Sequence, residues 1–512
     1  MMKISWAIFL CAFFLLRPFV MEYTGFLYPD DDFDYFANAT SLAFGQFPSY
    51  KNEYLFRNLP SPGGAIGTGM MAAPFVGAFS LLDLFSGSDI VKKRTAQNVQ
   101  KSWAVFGFIF ASVFYFCFSC FLLYWAARSV VGPSFAAWAV ILMVICQGMP
   151  LYAYRRPVFS HMPEFFLQSV FVYLFIKNEL ASGKWIKQWW SFVLLGIGAG
   201  MIVLTRYNNV LFMIVWPLLF LSSDARPKKW KGVLRNSFCI VFPIFLLVLI
   251  FKSWPEAYNH YVVYQGNNVV EKVFTLHGPW QEFVRRLWYV FCAPDWGLIF
   301  TAPFLLLGVS GLALLDVPWK KRYVGATLPL LVNFYVINVT GCQGAYYGYR
   351  YLIASAFPLF VLPLAFLLKR LNRKVGSWWK WGAVFLALFP VMSMWCYEGN
   401  KLVATLPIPT SFFGVIDWSN ATYQIAVWKT VLDLKAFWGI VYLGGLQYWH
   451  YLLFYVSATS FGFRIMNLSF DMKTLVQVLL IYSLPFIMAW IFRDKFSSLE
   501  AFLQKASRKK IK

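Results

Sequence analysis

Four carboxylates crowd one short stretch near the start of the chain, YPDDDFDYF at residues 28–36. They are Asp30, Asp31, Asp32 and Asp34, in a chain that has only 22 acidic residues among 512. Helical spacing would bring Asp31, Asp34 and Tyr35 to one face, where crowded carboxylates repel each other. One of them could then act as a general base that takes a proton from a hydroxyl. The alternative interpretation is a solvated loop or a helix N-terminus, at which aspartate is common.

A second group of polar residues lies in YAYRRPVFSHMPEFF, residues 152–166. Arg155, Arg156 and His161 fall at the end of one predicted helix, and Glu164 falls inside the next. Paired arginines at a membrane surface need an anionic partner, either lipid headgroups or a phosphate group on a substrate. A glutamate within a membrane helix is costly and is therefore a candidate functional residue.

Three later motifs add candidate contacts: TRYNN (205–209), CAPDWGLIFTAPF (292–304) and GCQGAYYGYRYL (341–352). Arg206 in the first motif is either a turn residue that reaches the membrane interface or a phosphate contact, and the turn residue is the commoner case. Arg285 and Arg286 precede the second motif. In the third, glycine lets the backbone approach a ligand closely and aromatic faces can stack on sugar rings. An aromatic belt at the membrane interface is the alternative for these tyrosines.

The elements that must position these residues are membrane helices. The chain is 60% hydrophobic and only 13% charged, with a mean hydropathy of +0.59. Apolar runs of roughly 17–25 residues recur along its whole length, and each is long enough to cross a bilayer. The net charge of +23 does not indicate nucleic-acid binding, because lysine and arginine fall mostly in short loops between the apolar runs. The eight cysteines are scattered and predict neither a disulfide framework nor a zinc site.

About twelve spans are predicted, and an even number places the basic loops and both termini in the cytoplasm. The first run is expected to be an uncleaved helix, since Arg17 and Pro18 interrupt the apolar core that a signal peptide would need. A span at 65–86 would move the basic loops to the outside, so this segment is predicted to be interfacial or half-inserted. Residues 432–462 are a hairpin or a surface-lying stretch. The predicted spans are 4–21, 102–126, 134–150, 162–177, 190–204, 209–222, 235–252, 297–315, 323–339, 351–368, 378–395 and 473–492.

The unusual polar residues then fall in outer loops, chiefly 22–101, 253–296 and 396–472, with the shorter pair 151–161 and 340–350. A reaction on that face cannot draw on cytoplasmic nucleotides and needs a substrate that is already activated within the membrane. A lipid phosphate linked to a sugar fits these residues, because its phosphate suits arginine and an acceptor hydroxyl needs a carboxylate base.

The ordered motifs resemble those of the bacterial polytopic glycosyltransferases of the GT-C superfamily, which include protein O-mannosyltransferases and the aminoarabinose transferase for lipid A. The family's first outer loop carries D-[DE]-x-x-Y, and Asp31, Asp32 and Tyr35 match it, with Gly45 closing SLAFG. SPGGAIGTGMMAAPF (61–75) is similar to its glycine-rich stretch, and YRRPVFSHMPEFF to its second outer loop. Two later segments, DWGLIFTAPFLLLGVSGL and GYRYLIASAFPLFVLPLA, also match, so the resemblance covers about residues 22–368.

This resemblance implies an all-α polytopic membrane protein with short interfacial helices in its outer loops. Residues 1–395 would form the catalytic membrane module, and 396–512 an outer loop, a last span and a basic tail. The implied activity is inverting transfer of a sugar from a polyprenyl-phosphate donor to a hydroxyl of a lipid, glycan or protein acceptor. The implied location is the bacterial inner membrane, with the site facing the periplasm.

The resemblance also implies roles for individual residues. Asp31 is the expected base and Asp32 the second choice, although Asp30 and Asp34 leave the register open by one residue. Some relatives hold a divalent metal (Mg, Mn or Ca) near this loop, and Asp31 and Asp32 would be its ligands here. The donor phosphate would contact Arg155, Arg156, His161, Arg206 and Arg350. The sugar or acceptor would contact Tyr35, Glu164, Asp295, Trp296, Tyr347 and Tyr349.

Two other functions remain open. A transporter or flippase of a lipid-linked or anionic substrate would show broken helices in paired halves and charges at the membrane midplane. The unbroken helices predicted here, and the absence of corresponding halves in the sequence, favour the enzyme. A ligase or polymerase that uses a lipid diphosphate would share the outer-face site.

Overall fold

The computed structural model describes residues 27, 31–55, 61–100, 102–182, 189–222, 230–252, 297–340 and 349–403, with single positions within 284–292 and 473–491. The regular structure of these residues is helical throughout, without a strand. Several predicted features lie outside the described residues: the first span (4–21), Asp30, Arg285, Arg286, Asp295, Trp296, Tyr347 and the segment 432–462. The side chain of Arg155 also lies outside them.

The helices follow the apolar runs of the sequence. Several of them contain an internal proline, which removes one backbone donor from the helix. In chain order the main helices are α1 (Asp31–Ala43), α2 (Ile66–Phe85), α3 (Trp103–Val131), α4 (Pro133–Val140), α5 (His161–Leu180), α6 (Trp189–Thr205), α7 (Val210–Ser222), α8 (Trp230–Lys252), α9 (Pro303–Gly311), α10 (Lys320–Thr340), α11 (Arg350–Val375) and α12 (Trp379–Val403).

Three helical stretches in the described part of the chain are long and apolar enough to cross a membrane: Ile66–Phe85, Trp103–Val131 and the joined stretch Arg350–Val391. Shorter apolar helices accompany them, including Trp189–Thr205 and Tyr207–Ser222. These helices indicate a membrane protein. The count of about twelve spans stays a prediction, as does the half-inserted position of α2.

Most predicted spans coincide with a single helix, but the prediction of unbroken helices is wrong at two of them. The span predicted at 134–150 is α4 followed by a π-helical turn at Ile141–Ile145, and a second π-helical turn, Leu151–Arg155, comes directly after it. The span predicted at 297–315 breaks at Ala302, because Pro303 has no N–H with which to continue the first helical turn.

Gln147 joins these two interruptions. Its side-chain carbonyl accepts a hydrogen bond from the N–H of Phe304, at 2.9 Å. This bond satisfies an N–H at the start of α9 that has no partner within the helix. Its amide nitrogen donates to the carbonyl of Met143, at 2.6 Å. Buried hydrogen-bonding groups need such partners where helices are interrupted inside a membrane protein.

The central helix of the described part is α3, which lies between α2 and α5. On one side the Tyr115 hydroxyl donates to the carbonyl of Met71, and the Asp83 carboxylate accepts the N–H groups of Trp103 and Ala104, so α2 runs antiparallel to α3. On the other side Tyr115 packs on Phe166 with ring centroids 4.8 Å apart. Such helix contacts depend on close packing rather than on burial from water.

Two glycines of α2 bring α1 and the end of α6 against it. A Cβ at Gly67 would collide with the backbone of Leu204, and one at Gly69 would collide with Asn38 of α1. Only glycine permits approaches this close between helix backbones. The acidic start of α1 is therefore held near the C-terminal end of α6, which Arg206 follows directly.

A buried ion pair holds the segments that connect α1 to α2 and α2 to α3. Arg94 and Glu53 are both 1% exposed and lie 2.6 Å apart. The Thr40 hydroxyl donates to Glu53 at 2.7 Å, and Arg94 also donates to Gln46 and to backbone carbonyls. We call Thr40, Gln46, Glu53 and Arg94 the connector cluster.

Candidate functional site

The structure brings the acidic stretch and the first arginine motif together. Asp32 lies in the first turn of α1, and its Oδ1 is 3.6 Å from Nη2 of Arg156. Both side chains are buried, at 2% and 5% exposure. Arg156 lies in the loop before α5. Ser112 of α3 anchors this loop by donating a hydrogen bond to the carbonyl of Pro157. Residues 124 positions apart in the chain thus meet as a buried ion pair.

Arg206 forms a second buried ion pair, with Glu164. Its Nη1 donates to Oε2 of Glu164 at 2.9 Å and lies 3.2 Å from Nδ1 of His161. Nδ2 of Asn209 donates to the other oxygen of Glu164, at 2.8 Å. Arg206 is only 8% exposed, so the interpretation of this residue as an interfacial turn residue is wrong. The counter-charge of Glu164 is what allows a guanidinium to lie here.

Aromatic rings connect the two ion pairs through Arg350, the first residue of α11. Phe159 lies between Arg156 and Arg350, with ring-to-guanidinium distances of 4.4 and 5.6 Å. Tyr351 is similarly shared by Arg350 and Arg206, at 4.8 and 4.7 Å. Nη2 of Arg350 also donates to the Tyr351 hydroxyl at 2.9 Å. Cation–π contacts of this kind hold a guanidinium through its face.

His161 lies at the centre of this group. Its ring packs on Tyr152 at 4.4 Å and on Phe159 at 5.8 Å, and all three arginines are close enough to interact with it electrostatically. We call Asp32, Arg156, His161, Glu164, Arg206 and Arg350 the arginine site.

The other predicted site residues occupy varied positions. Asp31 begins α1 and is half-buried, whereas Asp34 is 3% exposed and lies beneath Gly63. Tyr349 is buried and packs on Phe334, with ring centroids 6.1 Å apart. These positions leave the predicted roles as predictions.

Sequence reasoning missed Asn209, Phe159 and Tyr351. Asn209 lies in the TRYNN motif itself, three residues after Arg206, and this spacing was a usable signal. The two aromatic residues carry no such signal, because 21% of the chain is aromatic.

The described residues at the acidic start of α1 do not by themselves form a divalent-metal site, and Asp30 lies outside the described residues. Among the residues that the structure describes, no group of three or more His, Cys, Asp or Glu side chains is placed to hold a metal. Asp32, one of the two expected ligands, faces Arg156, whose positive charge opposes a cation at the same carboxylate.

No protein-family model matches the chain, and no curated protein is significantly similar to it. Solved structures of similar fold include the Archaeoglobus fulgidus oligosaccharyltransferase in complex with Zn and sulfate (12% identity, TM-score 0.46, 80% of this chain and 56% of that one). ArnT from Cupriavidus metallidurans in the apo state is another (14% identity, TM-score 0.42, 87% of this chain and 76% of that one). The chain thus spans little more than half the length of the oligosaccharyltransferase.

Proposed function

We propose that the protein is a membrane glycosyltransferase that moves a sugar from a polyprenyl-phosphate donor to a hydroxyl of a lipid, glycan or protein acceptor. The observation that carries this proposal is the convergence of Asp32 with three arginines and a histidine in one buried cluster. A carboxylate beside several guanidinium groups suits a reaction that removes a proton at one end and releases a phosphate at the other.

The arginines would bind the donor's phosphate and stabilise the charge that develops on it. As the bond between the anomeric carbon and the phosphate oxygen breaks, its electron pair stays on the phosphate. Buried guanidinium groups interact strongly with such an anion, because little water screens them. Arg156 and Arg206 are within the buried part of the cluster, and Arg350 lies between them through the two aromatic rings.

The acceptor would be activated at the start of α1. Asp32 is engaged by Arg156, whereas its neighbour Asp31 is half-buried and can be reached by a hydroxyl from outside. We assign the base to Asp31, with Asp32 as the second choice. The hydroxyl proton passes to the carboxylate, and the oxygen attacks the anomeric carbon opposite the leaving phosphate. The configuration at that carbon inverts.

We further propose that this chemistry takes place at the periplasmic face of a bacterial inner membrane, with both chain termini in the cytoplasm. The basic loops between the apolar runs support this orientation. The donor's lipid tail would then remain among the membrane helices while its phosphate reaches the arginine site.

A transporter of an anionic lipid-linked substrate is the second candidate. The interruptions at Ile141–Ile145 and Ala302 favour it, since transporters often bind substrate at broken helices. A ligase that uses a lipid diphosphate would employ the same cluster for a larger anion.

One experiment separates these functions. The purified protein in nanodiscs is incubated with a panel of polyprenyl-phosphate sugars and membrane glycolipid extracts, and the products are analysed by mass spectrometry. Free polyprenyl phosphate together with a one-sugar mass gain on an acceptor is the expected result. Turnover only with diphosphate donors would favour the ligase. Binding without turnover, in folded protein, would favour the transporter.

A further inference from the structure

Glu164 is the most deeply buried charged residue of the arginine site, and both of its oxygens are engaged by the protein. It is 0% exposed and lies in the first turn of α5. Oε2 accepts from Arg206 at 2.9 Å and Oε1 accepts from Asn209 at 2.8 Å. Arg206 and Asn209 bracket the short helical turn Tyr207–Asn209 between α6 and α7. One carboxylate therefore clamps that turn at both ends.

This geometry argues against a role for Glu164 in proton transfer or in sugar binding. A fully buried carboxylate, each of whose oxygens already accepts a hydrogen bond from the protein, is poorly placed to meet an incoming hydroxyl. Its negative charge instead compensates Arg206, whose guanidinium lies 4.7 Å from the ring of Tyr351 of α11. A planar guanidinium binds phosphate well only in a defined orientation, so the group that orients it affects binding.

We infer that Glu164 is a positioning residue, assisted by Asn209, that sets the orientation of Arg206 toward the phosphate of a lipid-phosphate donor. This inference rests on the proposed function. It differs from the expectation from the family resemblance, in which Glu164 contacts the sugar or the acceptor.

The chain offers a matched control at the other end of the same helix. Glu179 of α5 also pairs with an arginine, accepting from Nη1 of Arg322 at 2.7 Å. It is 15 residues from Glu164, which is about 22 Å along a helix. Glu164→Gln and Glu179→Gln thus remove the same charge from the same kind of pair, near the site and far from it.

The test measures binding of farnesyl phosphate and of farnesol to each variant in nanodiscs, together with kcat and KM for the sugar donor. We expect Glu164→Gln to weaken farnesyl phosphate binding and raise the donor KM by about ten- to hundredfold, with a smaller change in kcat. Farnesol binding should not change. Glu179→Gln should lower thermal stability and leave both ligands' binding at the wild-type value.

A charge exchange provides a positive test. In the double variant Glu164→Gln with Asn209→Asp, the introduced amide can donate to the introduced carboxylate while its carbonyl accepts from Arg206. We expect this variant to recover most of the farnesyl phosphate binding that the single variant loses. A purely structural role would predict that farnesyl phosphate binding and farnesol binding fall together in the single variant. If Glu164→Gln does not fold, Asn209→Ala, which removes one anchor only, replaces it and should weaken phosphate binding severalfold.

The outcomes separate the inference from the proposed function. If the wild-type protein transfers sugar and prefers farnesyl phosphate, while Glu164→Gln or its replacement behaves like the wild type, the positioning role is wrong and the enzyme stands. If the wild-type protein neither transfers sugar nor prefers the phosphate over the alcohol, the proposed function itself fails.

Discussion

The connector cluster and the arginine site use the same residue types in opposite ways. In the connector cluster one arginine meets one glutamate, and the Arg94 guanidinium donates to Glu53, to Gln46 and to the carbonyls of Ile90 and Val91. In the arginine site three arginines from separate parts of the chain surround His161. The first arrangement closes on itself, whereas the second places like charges close together.

This difference in charge balance indicates different roles for the two clusters. A closed, charge-matched network fixes the geometry of the segments that carry it, and an added ligand would have nothing to neutralise. Cations that are crowded together repel, so an anion that binds among them stabilises the protein as well as being bound. We therefore propose that the connector cluster is structural and that the arginine site binds an anion.

The largest effect is expected from Asp31→Asn, which would remove the base and leave the charge of the arginines unchanged. Loss of a general base lowers the rate by roughly 10²–10⁴-fold, so transfer measured by mass spectrometry should nearly vanish while farnesyl phosphate still binds. Glu53→Gln in the connector cluster is the control and should retain turnover per folded molecule. An active Asp31→Asn with an inactive Asp32→Asn would shift the base by one residue. Activity in both would remove the base from this stretch.

Arg94→Met tests the structural role of the connector cluster. Breaking a buried ion pair leaves Glu53 without its counter-charge and destabilises by about 3–5 kcal/mol. We expect faster hydrogen exchange in residues 46–55 and a lower melting temperature, with farnesyl phosphate affinity unchanged in the protein that remains folded. A selective loss of phosphate affinity would mean that the two clusters do not have separate roles.

The sequence was sufficient to identify most residues of the arginine site but not their contacts with one another. Asp32, Arg156, His161 and Arg206 all stand out because charged residues are rare in an apolar chain. Their partners could not be identified, since Arg206 and Glu164 are 42 residues apart and helical periodicity describes only neighbours on one helix. For the same reason Arg206 resembled an interfacial residue.

The helices followed from the apolar runs, and their interruptions did not. Pro303 was visible in the sequence, but whether a proline bends or breaks a membrane helix depends on which group satisfies the freed backbone. Here that group is Gln147, which is 157 residues away from its partner Phe304. The connector cluster was missed because Glu53 and Arg94 look like ordinary loop charges until the fold brings them together.

Arg350→Met tests the binding role of the arginine site, with a smaller expected effect than the two variants above. Arg350 rests on the faces of Phe159 and Tyr351 and is only partly buried. Its removal takes one positive charge from the arginine site and so relieves repulsion among the remaining cations. We expect the donor KM to rise by about tenfold while stability changes by less than about 0.5 kcal/mol. Calorimetry and steady-state kinetics on the same preparation check both numbers. A large stability loss with an unchanged KM would assign Arg350 to the scaffold.

The smallest expected effect concerns the pH dependence of the connector cluster. Burial raises the pKa of Glu53 above the ordinary glutamate value of 4.5, and Arg94 and Thr40 offset only part of that rise. A carboxyl whose pKa is higher in the folded state stabilises the protein below its unfolded pKa and loses that contribution as the pH rises through the folded pKa. Hydrogen exchange in residues 46–55, corrected for its intrinsic pH dependence, should therefore show less protection as the pH is raised above the ordinary value.

Glu53→Gln removes the titrating group and provides the control for this measurement. Above the folded pKa of Glu53 the variant should be less protected, because Arg94 lacks its counter-charge, and its protection should vary less with pH than that of the wild-type protein. If protection varies equally in both proteins, Glu53 does not titrate in this range and its charge stays matched to Arg94 throughout. That result would mean that the charges of the connector cluster stay matched over the whole pH range measured, in contrast to the like charges of the arginine site.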